Sequence, residues 1–334
     1  MKKVSVAIPA YNQAHFIGQA IESVQAQDYP NLEIIVSDNH SMDDTPEVMK
    51  KYLSDPRVKY FRNETNLGMV RNFQKALYEY STGEYALHLD GDDYLSDPGY
   101  ISKAMDLIKQ HGLVMVFGRT KSFYEKDNIF IEDKVNDDLP EIIDGNWLFL
   151  NYYKGYSIST LSVVHERPYA MEIGFFEKNI RSCDWESLLK LMIGKKLGFV
   201  NRFVGVWRRH GLNYTLNQNM DAILSNIEFI ESPYRFALDR KSFPLDTLTL
   251  WRRRMLKRYF VQVIIRAAIL KNRVQEKEGI DFLVKHDRRV YDMIRMDPRY
   301  IAFRMIINSR KMTYFVFKYI IKQETFIKDF EYMN

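Results

Sequence analysis

Val4-Ser5-Val6-Ala7-Ile8-Pro9-Ala10-Tyr11-Asn12 is a short apolar strand pattern closed by a proline, and the residues after it complete a recognisable unit. From Ala14 to Gln27 the apolar residues Phe16, Ile17, Ala20, Ile21 and Val24 recur at helical spacing, and Leu32 to Val36 is strand-like again. Strand, helix and strand in succession make a βαβ unit and predict a parallel sheet. The alternation continues outward. A helix is expected over Pro46–Leu53, a strand over Val58–Phe61, and a helix with Val70, Phe73, Leu77 and Tyr80 on one face. A strand over Tyr85–Leu89 runs into Asp90, followed by a helix near Ile101–Ile108 and a strand over Leu113–Phe117.

Beyond about residue 119 the pattern loosens. Residues 125 to 145 are acidic and polar and read as a long loop over a face. A helix with Trp185, Leu188, Leu189 and Met192 inward follows, then a β-rich stretch from Leu197 to Trp207. After about residue 220 the chain reads as almost wholly helical, so the expected domains are 1–219 and 220–334.

Composition narrows the class. With 334 residues, 46% apolar and 27% charged, the chain can bury a substantial core in one large domain or two. No stretch reaches the roughly 18 to 20 uncharged apolar residues of a membrane span. Met1-Lys2-Lys3-Val4-Ser5 leads straight into a strand with no signal-peptide core, so a cytoplasmic protein is expected. The single cysteine, Cys183, excludes an internal disulfide and a cysteine metal site. The net charge of +5 hides an asymmetry: residues 241–334 carry 21 Lys/Arg against 10 Asp/Glu, leaving 27 against 33 for the rest.

Chemistry concentrates at strand ends. In Leu87-His88-Leu89-Asp90-Gly91-Asp92-Asp93 an apolar strand stops in three carboxylates within four positions. Like charges this close repel, and a hard divalent ion on oxygen ligands that also bridges a diphosphate would remove that cost. The alternative is a solvated acidic turn. Ile34-Ile35-Val36-Ser37-Asp38 is another buried strand ending in a carboxylate, which could accept from a base N–H or simply make a turn with Asn39, Ser41 and Asp43. Pro9-Ala10-Tyr11-Asn12 offers an aromatic face at the same edge, where open α/β sheets bind ligands. Neither a Walker-type loop nor a Gly-rich turn after the first strand is present, which argues against a P-loop and a Rossmann dinucleotide site.

Taken with Asn66-Leu67-Gly68 and Arg71-Asn72, these segments resemble the signature of family 2 glycosyltransferases of the GT-A fold, and the likeness extends to about residue 215. The resemblance implies an α/β fold with an open mixed sheet flanked by helices and a nucleotide-sugar in the crevice. Pro9, Tyr11 and Asn12 would line the base, with Tyr11 stacking on it and Asp38 bonding it. Arg71 would approach the phosphates or base, Asp90 with Gly91 would meet the ribose, and Asp92 would hold Mn²⁺ or Mg²⁺. The family's base is the Asp of a Glu-Asp pair opening a helix. Here Ser182-Cys183-Asp184-Trp185-Glu186 fills that place, with Cys183 standing where Glu is usual. Asp184 is therefore the expected base, although Asp before such a run is also a good helix N-cap. Val206-Trp207-Arg208-Arg209-His210 resembles the family's Arg-x-His segment, so His210 is expected on the metal or diphosphate, with the guanidiniums suited to phosphate oxygens.

The basic, aromatic stretches Trp251–Phe260 and Phe303–Lys322 could lie on an anionic membrane surface, which would make the protein peripheral, or could pack as a helical subdomain. No nucleic-acid motif is visible, and no nucleic-acid partner is expected. The expectation is an inverting, metal-dependent hexosyl- or N-acetylhexosaminyltransferase, using a UDP-sugar as donor and a surface glycan or lipid-linked saccharide as acceptor. Other readings are a polymerising transferase and a non-catalytic nucleotide-sugar-binding or scaffold subunit of a glycan assembly complex.

Overall fold

The structure, a computed structural model, describes residues 1–132, 136–210, 220–269, 273–298, 300 and 301. The chain divides into two compact units, Met1–Arg209 and His210–Asn334. In the first unit ten strands form one sheet: β1 (Val4–Ala10), β2 (Leu32–Asp38), β3 (Val58–Arg62), β4 (Tyr85–His88), β5 (Tyr94–Leu95), β6 (Met115–Tyr124), β7 (Ile129–Glu132), β8 (Ile142–Asp144), β9 (Val163–Glu166) and β10 (Lys196–Arg209). Its order is β3-β2-β1-β4-β9-β6-β10-β5, with β7 paired to β6 and β8 to β10. The helices of this unit are α1 (Ile17–Gln25), α2 (Thr45–Lys50), α3 (Met69–Lys75), α4 (Tyr100–His111), α5 (Gly145–Asn151), α6 (Arg167–Glu172) and α7 (Cys183–Met192).

The expected parallel sheet holds for β1 to β4, whereas β9 runs antiparallel to β4 and β6, so the whole is mixed. Every residue of β1 and β2 is buried, as central strands covered on both faces require. Ile17, Ala20, Ile21 and Val24 of α1 are fully buried and join Val6, Ile8, Ile34 and Val36 in the core. Burying one such branched side chain stabilises by about 1.5–3 kcal/mol. The periodic stripe in the sequence is therefore the contact face itself.

Two local readings differ. The polar segment 125–145 is not simply a loop: β7 extends the sheet from β6, β8 pairs with β10, and Ile131, Leu139 and Ile143 are buried. The helix expected to carry Val70 through Tyr80 stops at Lys75 and widens into a π-helical turn over Ala76–Tyr80. That turn buries Ala76 and Leu77 and stacks Tyr80 on Phe61 at 4.0 Å.

In the second unit the described elements are α8 (Met220–Ser225), α9 (Glu228–Asp239), α10 (Leu245–Ile269), α11 (Arg273–His286) and α12 (Arg288–Arg295). Trp251, Met255, Leu256, Phe260 and Ile264 of α10 are buried. Arg252 pairs with Glu231 at 2.6 Å and Asp287 at 2.9 Å, and Lys257 pairs with Asp297 at 2.7 Å. The Trp251–Phe260 stretch thus spends its aromatic residues on helix packing and much of its charge on acids of its own unit. Among the described residues no helix is long and apolar enough to cross a membrane. Phe303–Lys322 lie outside the described residues.

Candidate active site

Strand β1 lies between β2 and β4, parallel to both, so the carboxyl ends of all three meet at one edge of the sheet. The backbone continues this pairing past the strands: Asn39 N–H donates to Ala10 O at 2.8 Å, Leu89 to Ala7 O at 2.9 Å and Gly91 to Pro9 O at 3.3 Å. Pro9–Asn12, Asp38 and Asp90 are thereby brought together. Tyr11 is 46% exposed at this edge. Asn12 takes a left-handed backbone, φ 54°, which asparagine tolerates better than most residues. It is held there by its N–H on Ser41 Oγ at 2.9 Å and by Met42 N–H on its own Oδ1 at 2.8 Å.

Asp38 is fully buried and already engaged inside the protein. Its Oδ1 accepts from Ser41 N–H at 2.8 Å, its Oδ2 accepts from the Tyr60 hydroxyl at 2.5 Å, and Arg62 lies 3.5 Å away. Burial first, then the Asp38 carboxylate, push the Tyr60 hydroxyl far above its ordinary value, so it stays a donor. Below this runs an amide network that the sequence reading did not resolve into contacts. Asn72 Oδ1 accepts from Ser37 Oγ at 2.7 Å and from Asn63 at 2.9 Å, and Asn39 accepts from Leu67 N–H at 2.8 Å and donates to Asn66 at 2.9 Å. The network fixes the start of α3, where Arg71 is exposed and donates to Gln74.

Beyond β4, Leu87 and Leu89 turn into the core while His88 and Asp90 take the other face, as the two-residue period of a strand dictates. Gly91 has no room for a side chain, because a Cβ would collide with the Gln13 carboxamide oxygen and press on Ile17. Asp90 is half-exposed, Asp92 is partly buried and Asp93 is buried. Burial, then the charges of Asp92 and Asp90, raise the Asp93 carboxyl well above the usual carboxylate range.

Arg208 is the counterweight, and here an expectation is corrected. Its backbone N–H donates to Asp93 Oδ1 at 2.8 Å, its Nε to Asp92 O at 3.0 Å, and its other nitrogens to Glu125 at 3.3 Å and to Gln19. The guanidinium also lies 5.2 Å from the Phe16 ring centroid and 5.6 Å from that of Tyr94. It ties the acidic turn to the fold rather than presenting itself to a phosphate. Arg209 lies over Trp207, 3.3 Å from the ring centroid. His210 is buried and opens the second unit.

Asp184 sits in the first turn of α7, two residues after the N-cap Ser182. It is therefore not the N-cap residue, although its carboxylate accepts N–H groups of the helix's first turn. Burial pushes its carboxyl up to about 6; the Trp185 N–H opposes this, Asp90 adds to it and His88 counters it. These mutual influences put Asp184, Asp90 and His88 in one electrostatic neighbourhood. Cys183 is buried, and burial raises its thiol well above the ordinary value, in keeping with a packing residue. Behind Asp184, Glu186 and Lys190 form a buried ion pair at 2.9 Å. Lys190 also donates to Gly174 O at 3.2 Å, and Ser187 Oγ accepts from Phe176 N–H at 2.9 Å. The four-residue spacing of Glu186 and Lys190 was readable, but at that spacing such a pair usually lies on a surface.

The family model described as Glycosyl transferase family 2 matches residues 5–178, just over half of the chain. The chain belongs to glycosyl transferase family 2. Among curated relatives, the GalNAc(5)-diNAcBac-PP-undecaprenol beta-1,3-glucosyltransferase of Campylobacter jejuni is 39% identical over 120 residues, covering 35% of this chain and 38% of that protein. This chain spans less than two thirds of the length of the relatives it matches first, 38% and 59% for two of them. The crystal structure of Staphylococcus aureus TarS residues 1–349 in complex with UDP-GlcNAc matches with a TM-score of 0.69 at 16% identity, over 95% of this chain and 91% of that one. The mannosyltransferase PcManGT from Pyrobaculum calidifontis in complex with GDP-Man and Mn²⁺ matches at 0.52 and 16%, over 93% and 88%. The shared fold is GT-A, a mixed sheet flanked by helices.

In this family 2 chain, the described residues contain no set of three His, Cys, Asp or Glu side chains able to hold a cation alone. A hard ion such as Mg²⁺ needs less from protein, since one or two carboxylates complete its shell together with substrate phosphates. The acidic turn fits that demand, because it crowds Asp90, Asp92 and Asp93 closely enough that, on top of burial, the first two raise the carboxyl of the third.

Proposed function

We propose that this chain is an inverting, metal-dependent transferase that moves a sugar from a UDP-sugar to a hydroxyl of a glycan or lipid-linked saccharide. The observation that carries this reading is Asp184: a carboxyl raised to about 6, beside Asp90 at the carboxyl edge of the sheet. Such a group is ionised at neutral pH yet basic enough to take a proton. Tyr11 stacks on the base, Pro9 and Asn12 line it, and Arg71 approaches the phosphates; Asp38, expected on the base itself, is fully buried on Ser41, Tyr60 and Arg62 and supports this edge from behind. Asp90 and Gly91 meet the ribose. Asp92 would hold Mn²⁺ or Mg²⁺, which when bound offsets the charge gathering on the departing diphosphate.

Asp184 accepts the proton of the acceptor hydroxyl as that oxygen bonds to the anomeric carbon from the face opposite the diphosphate. The bond from that carbon to the diphosphate breaks, and its electron pair leaves with the nucleotide. The reading is supported by relatives: one is a GalNAc(5)-diNAcBac-PP-undecaprenol beta-1,3-glucosyltransferase, and a fold neighbour was solved with UDP-GlcNAc. The GT-A domain would comprise 1–219 and the helical region 220–334. Any hold on an anionic membrane would fall to Phe303–Lys322, and co-sedimentation with anionic vesicles tests it.

The test is calorimetric titration of UDP, dTDP, GDP and CDP with and without Mn²⁺, on wild type and Asp92→Asn. Mn²⁺-dependent binding of UDP, weakened in the variant, is expected. Failure of all four to bind would overturn the catalytic reading.

A further inference from the structure

His88 is not explained by anything above. It closes β4 with its side chain only 6% exposed, and Nε2 lies 3.1 Å from Asp90 Oδ1. An ionised carboxylate can only accept, so Nε2 carries the proton and donates. The ring is wedged between Phe73, 4.3 Å away and edge-on, and Phe176, 4.9 Å away. Phe73 belongs to α3, and Phe176 is anchored to α7 through Ser187, so two elements hold the imidazole in one orientation.

The other ring nitrogen, Nδ1, is buried and has no hydrogen-bond partner. That is an expensive arrangement, since a buried polar atom left unmatched loses its water without compensation. A phenylalanine would fill the same aromatic box without that penalty. The single bond to a half-exposed carboxylate is a weak return in stability. Packing therefore does not account for a histidine here, whereas control of Asp90 does.

We infer that His88 is a positioning residue that holds Oδ1 of Asp90, so that Oδ2 is presented to the ribose hydroxyls of the nucleotide. The inference rests on the proposed function. Beyond its burial, Asp184 feels both groups, since the Asp90 charge raises its carboxyl and His88 lowers it. Facing His88 are Asp90 on its own strand, Asp184 on α7 and His165 on β9, whose imidazole burial holds down at about 4.

The test compares His88→Phe, which fills the box without a donor, and His88→Gln, which restores an N–H. Each is titrated with UDP and with 2′,3′-dideoxyuridine diphosphate in Mn²⁺, and melting temperature is recorded. His88→Phe should melt no lower than wild type and bind UDP about tenfold more weakly, the order expected for losing a charged hydrogen bond. The dideoxy nucleotide should bind it as it binds wild type, and His88→Gln should recover most of the UDP affinity. If His88→Phe does not fold, His88→Leu takes its place.

Unchanged UDP affinity in the variant would overturn the inference. So would an equal loss for both nucleotides, or a His88→Gln variant as impaired as His88→Phe, since each marks a structural role only. Failure of wild type to bind any nucleoside diphosphate would instead overturn the proposed function itself.

Discussion

Glu33 and Asp184 are carboxyls of the same unit, the first buried and the second partly so, and the protein drives them in opposite directions. On β2, burial would raise the Glu33 carboxyl. The Lys59 ammonium at 2.8 Å, the Ser5 hydroxyl at 2.5 Å and the Thr82 N–H at 2.6 Å outweigh that and hold it at about 2. At the other end of the sheet Asp184 lacks a comparable set and stands at about 6. Glu33 is compensated by the fold, whereas Asp184 is not, which is the contrast on which its proposed role as base rests. Compensation is the pattern of a structural carboxylate, and a raised, uncompensated carboxyl is the pattern expected of a catalytic candidate.

The largest expected effect breaks this comparison at the working end. Asp184→Asn should lower kcat by about 10² to 10⁴ while leaving UDP binding intact, the range for loss of a general base. Unchanged turnover, measured by release of nucleotide in the presence of acceptor, would remove Asp184 from the chemistry.

Stability should then respond with opposite signs. Glu33→Gln gives up a depressed carboxylate and should cost on the order of 2–3 kcal/mol at neutral pH, read from urea unfolding. Because the folded value lies below the unfolded one, this contribution is complete above the ordinary range near 4.3. It fades as pH falls toward about 2, so wild type and variant should converge in acid. Asp184 is raised, so its ionisation opposes folding as pH climbs from about 4 to about 6. Asp184→Asn should therefore be more stable than wild type at pH 8, by roughly 1–3 kcal/mol. Destabilisation there would mean that Asp184 is a structural residue after all.

The pH profile sharpens the same contrast. The ratio kcat/KM should fall about tenfold per pH unit below about 6, as the base of the uncomplexed enzyme takes up its proton. A profile flat down to pH 4.5 would place the base elsewhere. The smallest effect belongs to Arg71, exposed on α3: Arg71→Gln should weaken UDP binding only a few-fold and leave the melting temperature unchanged.

Much of the fold was legible because β1, α1 and β2 bury the stripes that their periodicity displays. The strands β7 and β8 were not, since each is short and β7 leaves Ile129 and Phe130 exposed, so its pattern matches that of a polar loop. Likewise Arg208 reads as a phosphate ligand from its neighbours in the chain. Its partners Gln19, Glu125 and Asp93 lie far away in sequence, and no local rule could bring them to it.

By itself the sequence determined the alternation of strands and helices up to about residue 117, the family, and which acidic residues stand at strand ends. Those depend on local periodicity and on spacing along the chain. Only the tertiary structure decided which carboxyls are satisfied and which are not, that Asp184 lies within reach of Asp90's charge, and that His88 is locked against Asp90. Ionisation and orientation are sums over burial and distant charges, and these acquire values only when the chain has folded.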